Sequence, residues 1–334
     1  MNNINLQNFN WDLFRTDVRK DVRNVVLFVV FALGVNIFVT LIMSMLAMFS
    51  DPNTISGILS GETSLTAPMS DTALSLITMV GPVAGSFVFL LYRGRRFFTD
   101  ITLPAPERMT AGTLLMLIVA TQGIQFAYGG LVALLDKLLS PLGISLTEGY
   151  SASIDALLNP IGILYIVLVG PIFEELIFRG AVMGSLRKYG DNFAILFSAL
   201  IFGIYHMIFM QVIFAAVLGL LLGYVACRYS LRYSILLHIV VNGLSVLLME
   251  SGENTVAEGL GGLAILICCI VTVILIIVFR RKLAARIHAG APFYARTYAN
   301  GFSSIAFWLY AIILVGAGIA TMAGLSFLED VMGA

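Results

Sequence analysis

The sequence predicts an all-α polytopic membrane protein of about nine transmembrane helices with a four-helix catalytic core. Three observations carry that reading. Apolar residues make up 59% of the 334-residue chain and charged residues only 11%, whereas a soluble domain is about one quarter charged. Mean hydropathy is +0.97. The apolar residues are also gathered into runs of about 20, the length that crosses a hydrocarbon core of about 30 Å. The net charge of +0 says little, because in a membrane protein the placement of Lys and Arg matters more than their sum. Cys227, Cys268 and Cys269 sit in or at the ends of apolar runs, with no disulfide framework and no CxxC pair.

Residues 1–23 place Leu6, Phe9, Leu13 and Phe14 among Asp12, Arg15, Asp17, Arg19 and Lys20. This pattern reads as a cytoplasmic amphipathic N-terminus on the membrane surface, with Trp11 near the headgroups. The first apolar run is longer than the core of a signal peptide, so it is expected to be retained as a span. Runs long enough to span follow near 24–49, 72–92, 110–135, 161–187, 192–210, 212–228, 233–249, 259–279 and 304–326. The runs at 24–135 form an N-terminal membrane unit, 160–250 the catalytic core, and 259–334 a C-terminal membrane unit. The tightest connection is expected at Met210 and Gln211. Gly219 and Gly223, like Gly180 and Gly184, have the GxxxG spacing that lets helices approach closely, which speaks of packing alone.

Basic residues fix an orientation. Arg15 to Arg23, Arg93 to Arg96 with Arg108, Arg187 and Lys188, Arg228 and Arg232, and the segment Arg280 to Arg296 fall on alternate loops, which the positive-inside rule makes cytoplasmic. The intervening loops hold Asp51, Glu62, Asp136, Glu148, Glu253 and Glu258, with Lys137 as their one basic residue. The expected protein is a multi-pass cell-membrane protein with its N-terminus cytoplasmic and its C-terminus outside.

One stretch breaks the apolar pattern. GPIFEELIFRG, Gly170 to Gly180, places Glu174, Glu175 and Arg179 inside a span, and a charge at bilayer depth costs about 2.5 to 3.5 kcal/mol on insertion scales. A structural ion pair between helices accounts for one Glu and one Arg; the second Glu has no partner in the segment. On a helix Glu175 and Arg179 share a face, while Glu174 points about 100° away. Arg179 is therefore expected to hold Glu175 as a structural pair, leaving Glu174 toward the bundle interior as a proton acceptor. Pro171 is expected to kink the helix for packing.

Two of the three histidines, His206 and His238, also lie in apolar runs. Asn242 shares a helix face with His238, and Phe202 with His206. A carboxylate and an imidazole converging on a water remove its proton, while a second imidazole and an amide donate to the oxyanion formed when that water attacks a peptide carbonyl. HExxH and GxSxG are both absent, and the cysteines have no His at a suggestive spacing. Ser198 and Ser245 are available hydroxyls, but serine in a span ordinarily bonds backbone.

The ordered set of EExxxR (Glu174, Glu175, Arg179), FxxxH (Phe202, His206) and HxxxN (His238, Asn242) resembles the three motifs of the CAAX-protease and bacteriocin-processing (CPBP, or Abi) family of intramembrane endopeptidases. The resemblance covers roughly residues 160–250. It implies that Glu174 and His206 activate the water and that His238 and Asn242 form the oxyanion hole, with Glu175, Arg179 and Phe202 in support. It also implies a glutamate-dependent peptidase without a cofactor, although the same Glu and His set has the chemistry to hold zinc. The expected partners are the lipid bilayer and a peptide or membrane-protein substrate, met in CAAX-type processing, bacteriocin maturation or self-immunity; nucleic acid is not expected. Two rival readings are a proton-coupled transporter, with Glu174, His206 and His238 as its relay, and a catalytically silent membrane scaffold. No paired halves with interrupted helices support the transporter.

Overall fold

The structure is a computed structural model that describes residues 10–50, 70–95, 106–142, 146, 154–155, 157–250, 255–288 and 291–332. Residues 1–9 and the acidic loops at 51–69, 147–150 and 251–254 lie outside the described residues. Among the described residues the chain is all helical, with no strand. In chain order the elements are α1 (Trp11–Ser50), α2 (Asp71–Arg93), α3 (Ala111–Leu139), α4 (Pro160–Tyr189), α5 (Asp191–Tyr205), α6 (Phe209–Arg228), α7 (Leu231–Glu250), α8 (Thr255–His288), α9 (Ala291–Phe302) and α10 (Ile305–Met332).

Helix lengths refine the expected count. Among the described residues five helices are long and apolar enough to cross a membrane alone: Trp11–Phe49, Asp71–Arg93, Ala111–Leu139, Pro160–Tyr189 and Met210–Arg228. The pair Ala295–Phe302 and Ile305–Ile319, bent by 60°, adds a sixth if it is counted as one broken span. Asp191–Tyr205 is a shorter apolar helix, and α7 and α8 carry apolar stretches over Leu231–Leu247 and Gly262–Val278. At 1.5 Å per residue, the 15 residues of α5 rise about 22 Å, short of a core of about 30 Å. The polar stretch from Trp11 to Arg23 is continuous with the first span, within one 40-residue helix.

Polar contacts draw the basic segments to one end of the bundle. Arg19 Nε donates to Ser303 Oγ at 2.5 Å, and the Arg296 guanidinium lies 4.2 Å above the Trp11 ring. Asp21 accepts from Tyr189 Oη at 2.7 Å and pairs with Lys188 at 2.5 Å. Arg228 pairs with Glu107. The start of α1, the ends of α4 and α6, and α9 thus meet at the same face.

The tight turn falls three residues earlier than Met210 and Gln211. It occupies His206–Ile208, where Met207 adopts φ 60° and Ile208 N–H bonds the His206 carbonyl at 2.7 Å. Composition gave no sign of it, because Met207, Ile208 and Phe209 continue the apolar run. α5 and α6 form a close hairpin: a Cβ on Gly219 would lie 3.1 Å from Ala199 Cα, so the small residue sets the approach of the two backbones. Phe178 of α4 and Phe193, Phe197, Ile201 and Phe202 of α5 are fully buried, while Phe38, Leu41, Ile274, Ile277, Ile312 and Ile313 face outward for lipid.

Candidate active site

The site is built on α4, whose backbone is unusual at two places. Asn159 caps it, accepting from Ile161 N and Gly162 N at 3.2 Å each. Wide π-turns then occupy Tyr165–Val169 and Leu176–Val182, on either side of Gly170–Glu175. Such turns are rare and cluster at functional sites. Sequence reasoning predicted a kink at Pro171; the helix instead widens just before it. The Gly170 N–H reaches back five residues to Tyr165 O. The next carbonyl, Ile166, would find its fifth-residue donor at Pro171, which has no N–H. That orphan is satisfied from another helix: Asn242 Nδ2 of α7 donates to Ile166 O at 2.9 Å.

The two glutamates are divided as the helix faces predict. Glu175 is completely buried and pairs with Arg179 Nη1 at 2.9 Å, whereas the Glu174 side chain is 23% exposed. Glu175 does more than neutralise Arg179, because it also accepts from Ser234 Oγ at 2.5 Å and from His238 Nδ1 at 3.1 Å. His238 Nε2 lies 3.7 Å from Glu174 Oε2, too long for a direct hydrogen bond. One imidazole therefore stands between the two carboxylates.

Phe202 gives this cluster its floor. The Arg179 guanidinium lies 4.3 Å from the Phe202 ring centroid, and the same ring meets His206 at 4.7 Å and His238 at 6.1 Å, edge to face. His206 caps the C-terminus of α5, and its Nδ1 lies 2.9 Å from Phe202 O. Since a carbonyl oxygen only accepts, that nitrogen carries the proton, and Nε2 is left with a lone pair. His206 is within electrostatic range of Glu174, His238 and Arg179.

Glu174 borders a cavity of about 60 Å³ with Asn36 of α1, Ser86 of α2, and Tyr165, Phe173 and Tyr205. Thus Glu174, Glu175, Arg179, Phe202, His206 and His238 gather at one place, while Asn242, one turn beyond His238, is bonded to Ile166 O. Ser198 and Ser245 are committed to backbone carbonyls, Phe178 O at 2.6 Å and Val241 O at 2.8 Å. Sequence reasoning missed Ser234, although it precedes His238 by one helical turn on the same face. Asn36, Tyr165 and Tyr205 were missed as well. Asn36 and Tyr165 had no local signal, while Tyr205 is beside His206.

Residues 156–244 match the family described as type II CAAX prenyl endopeptidase Rce1-like. Over this segment the chain is similar to CAAX proteases. The segment contains the six clustered residues and Asn242, and it runs from α4 into α7, the four helices expected to carry the catalytic core. None of the curated proteins or solved structures matches the chain. The matched segment is not the whole wall of the site, since Asn36 and Ser86 reach the Glu174 cavity from helices outside it.

Proposed function

We propose that this protein is an intramembrane endopeptidase in which side chains alone activate a water against a peptide bond of a membrane-associated substrate. The observation that carries this reading is His238, held between Glu175 at 3.1 Å and Glu174 at 3.7 Å. Glu174 and the Nε2 lone pair of His206 take the proton of a water as its oxygen attacks the carbonyl carbon. The carbonyl oxygen becomes an oxyanion facing His238 Nε2 and the second amide N–H of Asn242. Because His238 Nδ1 already donates to Glu175, Nε2 donates to the oxyanion as an imidazolium. Collapse of the intermediate breaks the C–N bond, and Glu174 returns its proton to the departing amine.

In this proposal no metal is resident; among the described residues no three His, Cys, Asp or Glu side chains form a metal-binding group. The basic end of the bundle is cytoplasmic in this proposal, which puts the N-terminus inside and the C-terminus outside. The substrate class is a C-terminal CAAX-type peptide, prenylated or not. The test is cleavage of fluorogenic prenylated and unprenylated peptides by the purified full-length protein, compared with Glu174→Gln. Turnover by the wild type alone is expected, and equal turnover by Glu174→Gln would overturn the proposal.

A further inference from the structure

A second and larger cavity, about 370 Å³, lies at the basic end of the bundle. It is enclosed by Arg93 at the end of α2, Arg179, Gly184 and Arg187 on α4, and Ser230 and Leu231 where α6 passes into α7. Among the described residues no carboxylate lines it. Acids paired with the arginines of this end are already engaged: Asp191 with Arg187 Nε at 2.9 Å, Glu107 with Arg228, and Glu175 with Arg179. Arg187 keeps the remaining donors of its fork, since a guanidinium has five.

The proteinaceous wall leaves polar groups unsatisfied. Ser230 is only 5% exposed, and its Oγ is buried with no hydrogen-bond partner. It directly precedes the 20-residue helix α7, whose first N–H groups have no acceptor within the helix and whose dipole favours an anion. Gly184 keeps the space open, because a Cβ there would come 3.2 Å from Arg93 Nη2.

We propose that this cavity binds a phosphate group. Guanidinium forks match phosphate oxygens in pairs, a helix N-terminus adds aligned N–H donors, and the Ser230 hydroxyl supplies one more. Basic pockets between membrane helices at the cytoplasmic level take phospholipid headgroups, so the phosphate belongs either to an anionic lipid or to the free anion. The site stands apart from the peptidase reading, although Arg179 borders both the cavity and Glu175.

The test is the melting temperature of the full-length protein in a neutral detergent, titrated with dihexanoylphosphatidylglycerol, dihexanoylphosphatidylcholine or sodium phosphate against sodium chloride at matched ionic strength. A ligand that binds only the folded state raises the melting temperature with concentration. Phosphatidylglycerol is expected to stabilise at concentrations at which phosphatidylcholine, whose own cation competes with the arginines, does not. Stabilisation by phosphatidylglycerol alone assigns a lipid headgroup, and stabilisation by phosphate that competes with it assigns the free anion. Ser230→Ala removes a hydroxyl with no protein partner, so the fold is retained while apparent affinity falls about tenfold, the cost of one charge-assisted hydrogen bond. Arg187→Gln should weaken binding further, and Arg232→Gln, on an exposed residue outside the cavity, should leave it unchanged. No stabilisation beyond the chloride control, or the same affinity in Ser230→Ala and Arg187→Gln as in the wild type, would overturn the site.

Discussion

The side-chain amide of Asn242 donates to the backbone carbonyl of Ile166 at 2.9 Å, repairing the hydrogen bond that Pro171 cannot make. This gives Asn242 a structural duty besides its proposed place in the oxyanion hole, and the two separate experimentally. Losing an oxyanion donor costs about 10² to 10³ in kcat, whereas an unsatisfied buried carbonyl costs about 1 to 3 kcal/mol of stability. Asn242→Ala is expected to show both, with KM little changed. Pro171→Ala adds an N–H five residues beyond Ile166, so in the Asn242→Ala background it should recover melting temperature and leave kcat low. Recovery of kcat along with stability would remove Asn242 from the oxyanion hole. Asn242→Asp should be at least as damaging as Asn242→Ala, since an anion would face the developing negative charge.

The glutamates should part in the same two measurements. Glu174 is partly exposed to its cavity and makes no hydrogen bond that organises the cluster, so Glu174→Gln should abolish turnover at an unchanged melting temperature. Glu175→Gln leaves Arg179 as a buried charge without a carboxylate. Breaking a buried pair costs about 3 to 5 kcal/mol, and His238 loses the acceptor that fixes its ring. The expected result is a lower melting temperature with a partial loss of activity; matching activity losses at unchanged melting temperatures would dissolve the distinction.

Chelation tests the proposed chemistry from another side. If side chains alone activate the water, activity should survive dialysis against EDTA or phenanthroline. Loss of activity that stoichiometric zinc restores would reassign Glu174, His206 and His238 as ligands.

The division between Glu174 and Glu175 was legible in the sequence because helical periodicity alone sets it: four residues separate Glu175 from Arg179, and one residue turns Glu174 away. The cluster of motifs was legible because polar groups inside apolar runs stand out. The π-turns were not, since nothing in YIVLV or LIFRGAV marks an added residue per turn. Nor was the position of the α5–α6 turn, because it is imposed from outside by packing against another helix. That contact supplies the remaining prediction.

Gly318 of α10 sits against the turn that carries His206. A Cβ at Gly318 would lie 1.7 Å from the Met207 carbonyl oxygen, so any side chain there must push the turn or α10 aside. Met207 already holds φ 60°, a conformation that side-chain-bearing residues adopt only when the surroundings impose it. Displacing the turn moves His206, and a misplacement of about 1 Å costs about 10² in rate. Gly318→Ala should therefore lower kcat by about that factor, although the residue touches no catalytic group and lies outside residues 156–244. Gly316, two residues away on the same helix, has open space where its Cβ would be. Gly316→Ala should leave kcat intact and hold or raise the melting temperature, as alanine for glycine does inside a helix. Equal activity in Gly316→Ala and Gly318→Ala would show that α10 does not set the position of His206.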